Sequence, residues 1–326
     1  MKTLVTGASG FIGKHLVGSL VEQGRDVRCL VRKTSNTQYL DNLGVELFYG
    51  DLIDKDSLKN IVKDVNIVYH LAGQIHSKYN RDFFLVNFDG TRNLVEECLP
   101  EKIERFVFLS SIAAVGPNQN RDVLLNEQSP CSPISPYGMS KLKSEQFLVQ
   151  TFKKSGFPAI IIRAPMVYGS VEQSDVITKI IFLIRKGHVF IVGDGKNLRS
   201  ICYIDNLIQG LMAAERSNNS VGEVYFISDE SVYTYNEIFQ KIAGQYETTL
   251  KEIHLPRWLG EICGLAFKAL SVMGLYSLPL YATWNMVLDV ACDIKKAKET
   301  LNYKAQIKTE EGIERIVKYF MRERYS

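Results

Sequence analysis

The chain has 326 residues, 46% of them hydrophobic and 23% charged, the balance of a globular protein able to bury a sizeable core. A net charge of +3 is too weak at this length to nominate nucleic acid or an anionic membrane as the main partner. Six scattered cysteines form no C-x-x-C pair, which argues against a zinc site or a disulfide framework and for a reducing, cytoplasmic setting; apolar strand residues begin almost at Met1, with no charged-then-apolar leader.

In chain order, strand-like runs fall at Thr3–Thr6, Val27–Val31, Val45–Tyr49, Ile67–Leu71, Phe106–Ser110 and Ala159–Ile162. Helical patterns fill the gaps at Phe11–Gln23, Lys55–Val62, Phe83–Cys98 and Tyr137–Lys154. Alternation at this spacing predicts an α/β fold of Rossmann type, a doubly wound parallel sheet with helices on both faces. The strands are rich in Val, Ile and Leu because both faces of such a sheet are buried. After about residue 165 the alternation is lost. Residues 1–165 are therefore expected to form a dinucleotide-binding domain. Residues 166–326 are expected to form a smaller, irregular substrate region that returns in places to the first domain. Asp194-Gly195-Lys196-Asn197 reads as a turn. Ala269–Leu288 carries no charge, but Gly274, Pro279 and Asn285 weaken a bilayer span. A buried helical hairpin or a lid over an apolar pocket is expected, with contact to a membrane surface through 269–288 as the alternative.

Thr6-Gly7-Ala8-Ser9-Gly10-Phe11-Ile12-Gly13 closes the first strand and opens the first helix. Three glycines at this spacing mean little alone but are specific at a strand-to-helix junction. Gly7 allows the tight turn, Gly10 leaves room for a pyrophosphate at the helix N-terminus, and Gly13 lets helix and strand pack closely. At the end of the second strand, where an acidic residue would hold a ribose 2′-hydroxyl, the chain has Val31 followed by Arg32 and Lys33. Arg32, Thr34 and Ser35 suit a 2′-phosphate, so NADP(H) is favoured. NAD(H) remains the alternative if Arg32 only stacks on the adenine or is solvated. Asp51, with Leu52 after the third strand, would accept from the adenine amino group or cap the next helix. Leu71, Ala72 and Gly73 would let the cofactor cross the sheet edge.

Tyr137-Gly138-Met139-Ser140-Lys141 opens a helix after Pro130, Pro133 and Pro136. The i,i+4 spacing puts phenol and ammonium on one face. A cation nearby is expected to lower the tyrosine pKa toward neutrality and make it a general acid or base. Ser110-Ser111 ends the fifth strand, where a hydroxyl faces the crevice. Gln74 and His76 follow the fourth strand and are candidates to touch substrate, and His70 is expected to be packed. The five histidines show no ligand spacing, so no metal is expected.

These segments together resemble the extended short-chain dehydrogenase/reductase family. Further matches are Asn87-x-x-Gly90-Thr91-x-Asn93-Leu94, Arg163-Ala164-Pro165-Met166-Val167-Tyr168-Gly169, Arg199-Ser200 and Tyr203-Ile204-Asp205-Asn206-Leu207. The resemblance implies that Tyr137 is the acid/base and that Lys141 lowers its pKa and binds the nicotinamide ribose. It also implies that one serine of the Ser110-Ser111 pair holds the substrate oxygen, with Ser111 favoured and Ser110 the alternative, that Pro165 lies near the carboxamide, and that Arg199 contacts a diphosphate. Ile112-Ala113-Ala114 stands where the dehydratases of the family carry an Asp-Glu pair, which argues against dehydration. The resemblance implies a homodimer through the helix of Leu142, Phe147, Leu148 and Phe152.

Three readings stay open. Arg199 favours a nucleotide-sugar epimerase or 4-keto-reductase. The residues around Val31 and Ser111, with the uncharged 269–288 stretch, favour an NADP(H)-dependent reductase or dehydrogenase of an apolar carbonyl or alcohol. A dinucleotide-binding sensor or assembly protein without turnover is the third, opposed by the intact Ser/Tyr/Lys set.

Overall fold

The computed structural model describes residues 1–169 and 175–322; the small part of the expected substrate region at 170–174 and 323–326 lies outside them. The strands are β1 (Lys2–Thr6), β2 (Asp26–Val31), β3 (Glu46–Tyr49), β4 (Ile67–His70), β5 (Arg105–Ser111), β6 (Ala159–Ala164), β7 (Met166–Tyr168), β8 (His188–Val192), β9 (Leu198–Arg199), β10 (Ile201–Tyr203), β11 (Val224–Phe226), β12 (Tyr233–Thr234) and β13 (Lys251–Leu255). The helices are α1 (Phe11–Glu22), α2 (Gln38–Asn42), α3 (Asn80–Phe83), α4 (Gly90–Cys98), α5 (Pro136–Ser155), α6 (Asp175–Arg185), α7 (Ile204–Arg216), α8 (Tyr235–Gln245), α9 (Arg257–Val272), α10 (Leu278–Asn285), α11 (Lys295–Leu301) and α12 (Thr309–Arg322). A seven-stranded sheet in the order β11-β6-β5-β4-β1-β2-β3 forms the centre, and every pairing in it is parallel. Strand order reverses at β1, so the crevice beyond the carboxyl ends of β1 and β4 is the place where such sheets bind ligands.

Two expected helices come out differently. Over Lys55–Val62 only a 3-10 turn at Lys55–Leu58 forms. The Arg28 guanidinium takes the carbonyls of Ile61 at 2.6 Å and Lys63 at 3.0 Å, and Asn60 adopts a left-handed conformation. Those carbonyls are thus used by a side chain rather than by a helical ladder, while Leu58, Ile61, Val62 and Val65 still reach the core. The expected Phe83–Cys98 helix is split by a π-helical segment, Phe84–Asp89, a device common beside functional sites.

The chain after residue 165 crosses back onto the sheet. β11 pairs with β6 at the edge. The buried Glu215 of α7 accepts from Arg25 at 2.8 Å and from the Tyr69 hydroxyl at 2.9 Å. Gly193 and Gly195 turn with positive φ. The uncharged stretch forms a helical hairpin of the end of α9, a turn and α10. Gly264 lies against Trp284, where a Cβ would approach the ring to 2.7 Å, and Gly260 lies against Val287. On α5, Leu148 is fully buried among Phe106, Phe108 and Ile161. It offers nothing to a second copy, because the sheet beneath α5 has already claimed it.

Candidate active site

The glycine turn sits at the end of β1. Gly7 takes φ +70°, and a Cβ on it would lie 2.8 Å from the Ala72 nitrogen. A Cβ on Gly13 would lie 2.1 Å from the Gly7 carbonyl oxygen. Both glycines are therefore demanded by backbone packing. Gly10 differs in degree: a Cβ on it would meet only the Gly7 carbonyl oxygen, at a tight 3.3 Å, and the residue lines a cleft. The α1 N-terminus has no side-chain cap and no acidic residue in its first turn, leaving its N–H groups and dipole free for an anion. A cleft of about 390 Å³ opens there. Gly7, Gly10, Phe11, Ile12 and Gly13 line one side, with Arg32, Asp51, Leu52, Leu71, Ala72 and Gly73 around the rest. Ser9, Ser35, Ile53 and Val86 join them, of which only Ser35 was expected. Asp51 does not cap a helix; its carboxylate accepts from the Ile53 N–H at 3.2 Å and shapes its own loop. The donor groups, Gly10 on the cleft wall and the apolar walls fit a dinucleotide.

A second cavity of about 270 Å³ adjoins the first, and Ile75 lines both. Its walls bring together Ser111, Tyr137, Pro165, Arg199 and His76, from five separate parts of the sequence, with Tyr276, Leu278, Tyr281 and Asn285 from the hairpin. Pro165 thus faces this cavity rather than the glycine cleft. Ser110 is excluded from it: its hydroxyl donates to the buried carboxylate of Glu145, which also holds Arg163 at 2.7 Å. Ser111 hydrogen-bonds to Tyr137. Gln74 is placed differently from expectation. It lines the glycine cleft, because Asn87 grips both its N–H at 2.6 Å and its carbonyl at 3.1 Å, while its side-chain amide donates to the His76 carbonyl.

Asn87 itself is fully buried and donates to the Ser140 hydroxyl at 2.9 Å. It ties the loop after β4 to the helix of Tyr137. The π-helical segment turns Asn87 inward, and sequence periodicity carries no signal for that. His70 is packed as expected, its ring between the hydroxyls of Thr6 at 2.7 Å and Thr91 at 2.9 Å, and burial pushes its pKa down to about 3.

The electrostatics correct one expectation. Burial pushes the Tyr137 phenol up to about 12, against the opposing pull of the Ser111 hydrogen bond. Lys141 does not lower it. Its ammonium is turned to the Leu109 carbonyl at 2.8 Å, lies 4.8 Å from the Phe108 ring centre, and is itself pushed down to about 8 by burial despite Glu145 nearby. A Cβ on Gly73 would meet its Nζ at 3.1 Å, so Lys141 borders the cofactor side of the site. Arg199 is no surface ion pair. It is buried and stacks 4.7 Å from the Tyr235 ring centre. It donates to the Leu288 carbonyl at 3.0 Å and to Asn285. Its Nε has no partner, and among the described residues no carboxylate pairs with it.

The sequence profile of the NAD dependent epimerase/dehydratase family matches residues 3–228. The chain belongs to that family. It is an NAD(P)-dependent enzyme of the extended short-chain dehydrogenase/reductase type. Within the family it is similar to a putative UDP-glucose 4-epimerase of Methanocaldococcus jannaschii, with 30% identity over 97% of each chain. It is also similar to the 4-hydroxy-2-methyl-3-oxo-4-farnesyl-3,4-dihydroquinoline-1-oxide ketoreductase of Stigmatella aurantiaca, with 30% identity over 70% of this chain and 68% of that one. The fold is that of UDP-glucose 4-epimerase with UDP-glucose from Thermotoga maritima, with a TM-score of 0.81 at 24% identity and 99% coverage of both chains.

Proposed function

We propose that the chain is a nucleotide-sugar epimerase or 4-keto-reductase, with the sugar in the cavity of Ser111 and Tyr137 and its diphosphate on Arg199. The buried guanidinium of Arg199, bonded to Asn285 and Leu288, with its Nε unpartnered and no carboxylate paired with it among the described residues, carries this reading. A buried charge left uncompensated is costly, and a phosphate would satisfy it. The glycine cleft would hold the dinucleotide through Gly7, Gly10 and the α1 N-terminus. Arg32 and Ser35 on its wall, with no acidic residue at the end of β2, favour NADP(H) over NAD(H).

When bound, the nicotinamide supplies a hydride acceptor or donor. Tyr137 holds its proton at neutral pH, since burial keeps its pKa near 12, and so serves as the acid toward a keto oxygen. Ser111 shares that hydrogen bond and positions the oxygen. In the oxidative direction Tyr137 must first release its own proton to solvent, and as phenolate it then takes the hydroxyl proton while the hydride leaves to the nicotinamide. Lys141 would assist by releasing the Leu109 carbonyl and offering its charge to the phenolate. Among the described cavity-lining residues there is no carboxylate, so the second acid/base pair that dehydration needs is not supplied.

Purified chain incubated with UDP-sugars and no added cofactor should yield the epimer, or with added NADPH the reduced sugar. Arg199→Met should raise KM for the nucleotide sugar by about a hundredfold. An unchanged KM overturns the diphosphate assignment. The apolar walls formed by Ile75, Ile134, Tyr276 and Leu278 favour a second reading, an NADPH-dependent reductase of an apolar ketone. That reading predicts turnover of such ketones that strictly consumes NADPH and is indifferent to Arg199→Met. Titration of both cofactors checks the NADP(H) preference, which tenfold tighter NAD binding would overturn.

A further inference from the structure

α9 is apolar on two opposite faces. Gly260, Gly264 and Phe267 pack inward against Val287 and Trp284. On the other side Trp258, Ile262, Leu265, Ala269, Val272 and Met273 recur at helical spacing and are open to solvent, with Leu265 67%, Met273 73% and Val272 90% exposed. A helix apolar all round is ordinarily buried, and a contiguous exposed stripe of this kind marks a binding surface. At about 24 Å for sixteen residues it is too short to cross a bilayer, and among the described residues no helix is long and apolar enough to do so.

The surroundings of the stripe select its occupant. Its C-terminal end is joined to residues 78–82: Tyr79 bridges to Leu275, and the Asn80 N–H donates to the Gly274 carbonyl at 2.9 Å. Exposed Tyr79 carries Lys78 at 5.7 Å and Arg81 at 5.4 Å from its ring centre. Arg81 is paired with Asp82 at 3.6 Å, and Lys268 flanks the stripe with its ammonium 5.0 Å from the Trp284 ring centre; among the described residues no ion pair to a carboxylate is made by Lys78 or Lys268. The one acid on the exposed side of α9, Glu261, is already paired with Arg257 at 3.3 Å. Aromatic residues at both ends, an aliphatic stripe between them and an excess of cations alongside match the headgroup boundary of an anionic bilayer.

We infer that α9 lies in the interface of an anionic lipid surface, with Trp258 to Met273 in the acyl boundary and Lys78, Arg81 and Lys268 at the phosphates. The same hairpin supplies Tyr276, Leu278 and Tyr281 to the substrate cavity, so docking places the cavity wall beside the lipid.

The test is co-sedimentation of the full chain with vesicles of phosphatidylcholine alone or with about one-third phosphatidylglycerol. Binding should be strong only to the anionic vesicles and weaken when salt is raised from about 0.1 M to 1 M. Emission of exposed Trp258 should shift to the blue. Leu265→Glu and Ile262→Glu should each weaken partitioning on the order of tenfold, while the melting temperature and cofactor affinity stay unchanged. Absence of binding to anionic vesicles overturns the inference, as does binding unaffected by both substitutions. A dimer in solution that both variants dissociate, without any vesicle binding, would assign the stripe to a second copy of the chain and also overturn it.

Discussion

Tyr137 and Lys141 stand one helical turn apart, and burial moves both away from charge: the phenol up to about 12, the ammonium down to about 8. Tyr137→Phe removes only the hydroxyl and should lower turnover by about 10²–10⁴-fold with cofactor affinity unchanged, measured by stopped assay and fluorescence titration. Lys141 has a stability signature as well. Between about pH 8 and the ordinary lysine value of 10.5, the unfolded chain holds a proton that the folded chain has released. Stability contributed through this group therefore rises with pH across that window and is reduced below it. Urea midpoints at a series of pH values should show this slope, and Lys141→Met should flatten it. Tyr137 and Lys141 were legible in the sequence because their spacing is local. The direction of their pKa values was not, because it depends on how completely α5 is packed against β5.

At the scale of elements, the β1–α1 junction separates structural from ligand-facing glycines. Gly13→Ala would drive a Cβ into the Gly7 carbonyl at 2.1 Å and should cost about 2–3 kcal/mol of stability. Gly10→Ala meets the same carbonyl at a less severe 3.3 Å, and should cost less stability than Gly13→Ala yet bind the dinucleotide at least tenfold more weakly. Thermal melts with cofactor titration distinguish the two. At the start of α5 the Ser135 hydroxyl accepts from the Gly138 N–H at 3.1 Å with Pro136 in the first turn. Ser135→Ala should cost about 1 kcal/mol in chemical denaturation. The strands, α1 and α5 were readable because glycine, proline and apolar periodicity act over a few residues. The Lys55–Val62 segment and the π-helical turn were not, because Arg28 takes the carbonyls of the first from another strand and Asn87, within the second, is held by Gln74 and Ser140 from distant segments.

For the whole molecule, the sheet is completed by β11 and covered in part by α7, both from beyond residue 165. A fragment of residues 1–165 would expose the β6 edge and leave Tyr69 without its bond to Glu215. It should lack cooperative unfolding in calorimetry, whereas the full chain should show it. The parallel α/β architecture, the dinucleotide turn and the Tyr137–Lys141 spacing were fixed by local sequence, because each is written in short-range spacing and in chain order along one sheet edge. Packing in three dimensions was needed to show that Ser110 is consumed by Glu145 while Ser111 faces the cavity, and that Gln74 lines the glycine cleft. The same packing buries Arg199 in the wall of the cavity that Tyr137 also lines and leaves one face of α9 without cover. Those outcomes depend on which side chains meet after distant segments pack, and neither periodicity nor spacing along the chain encodes them.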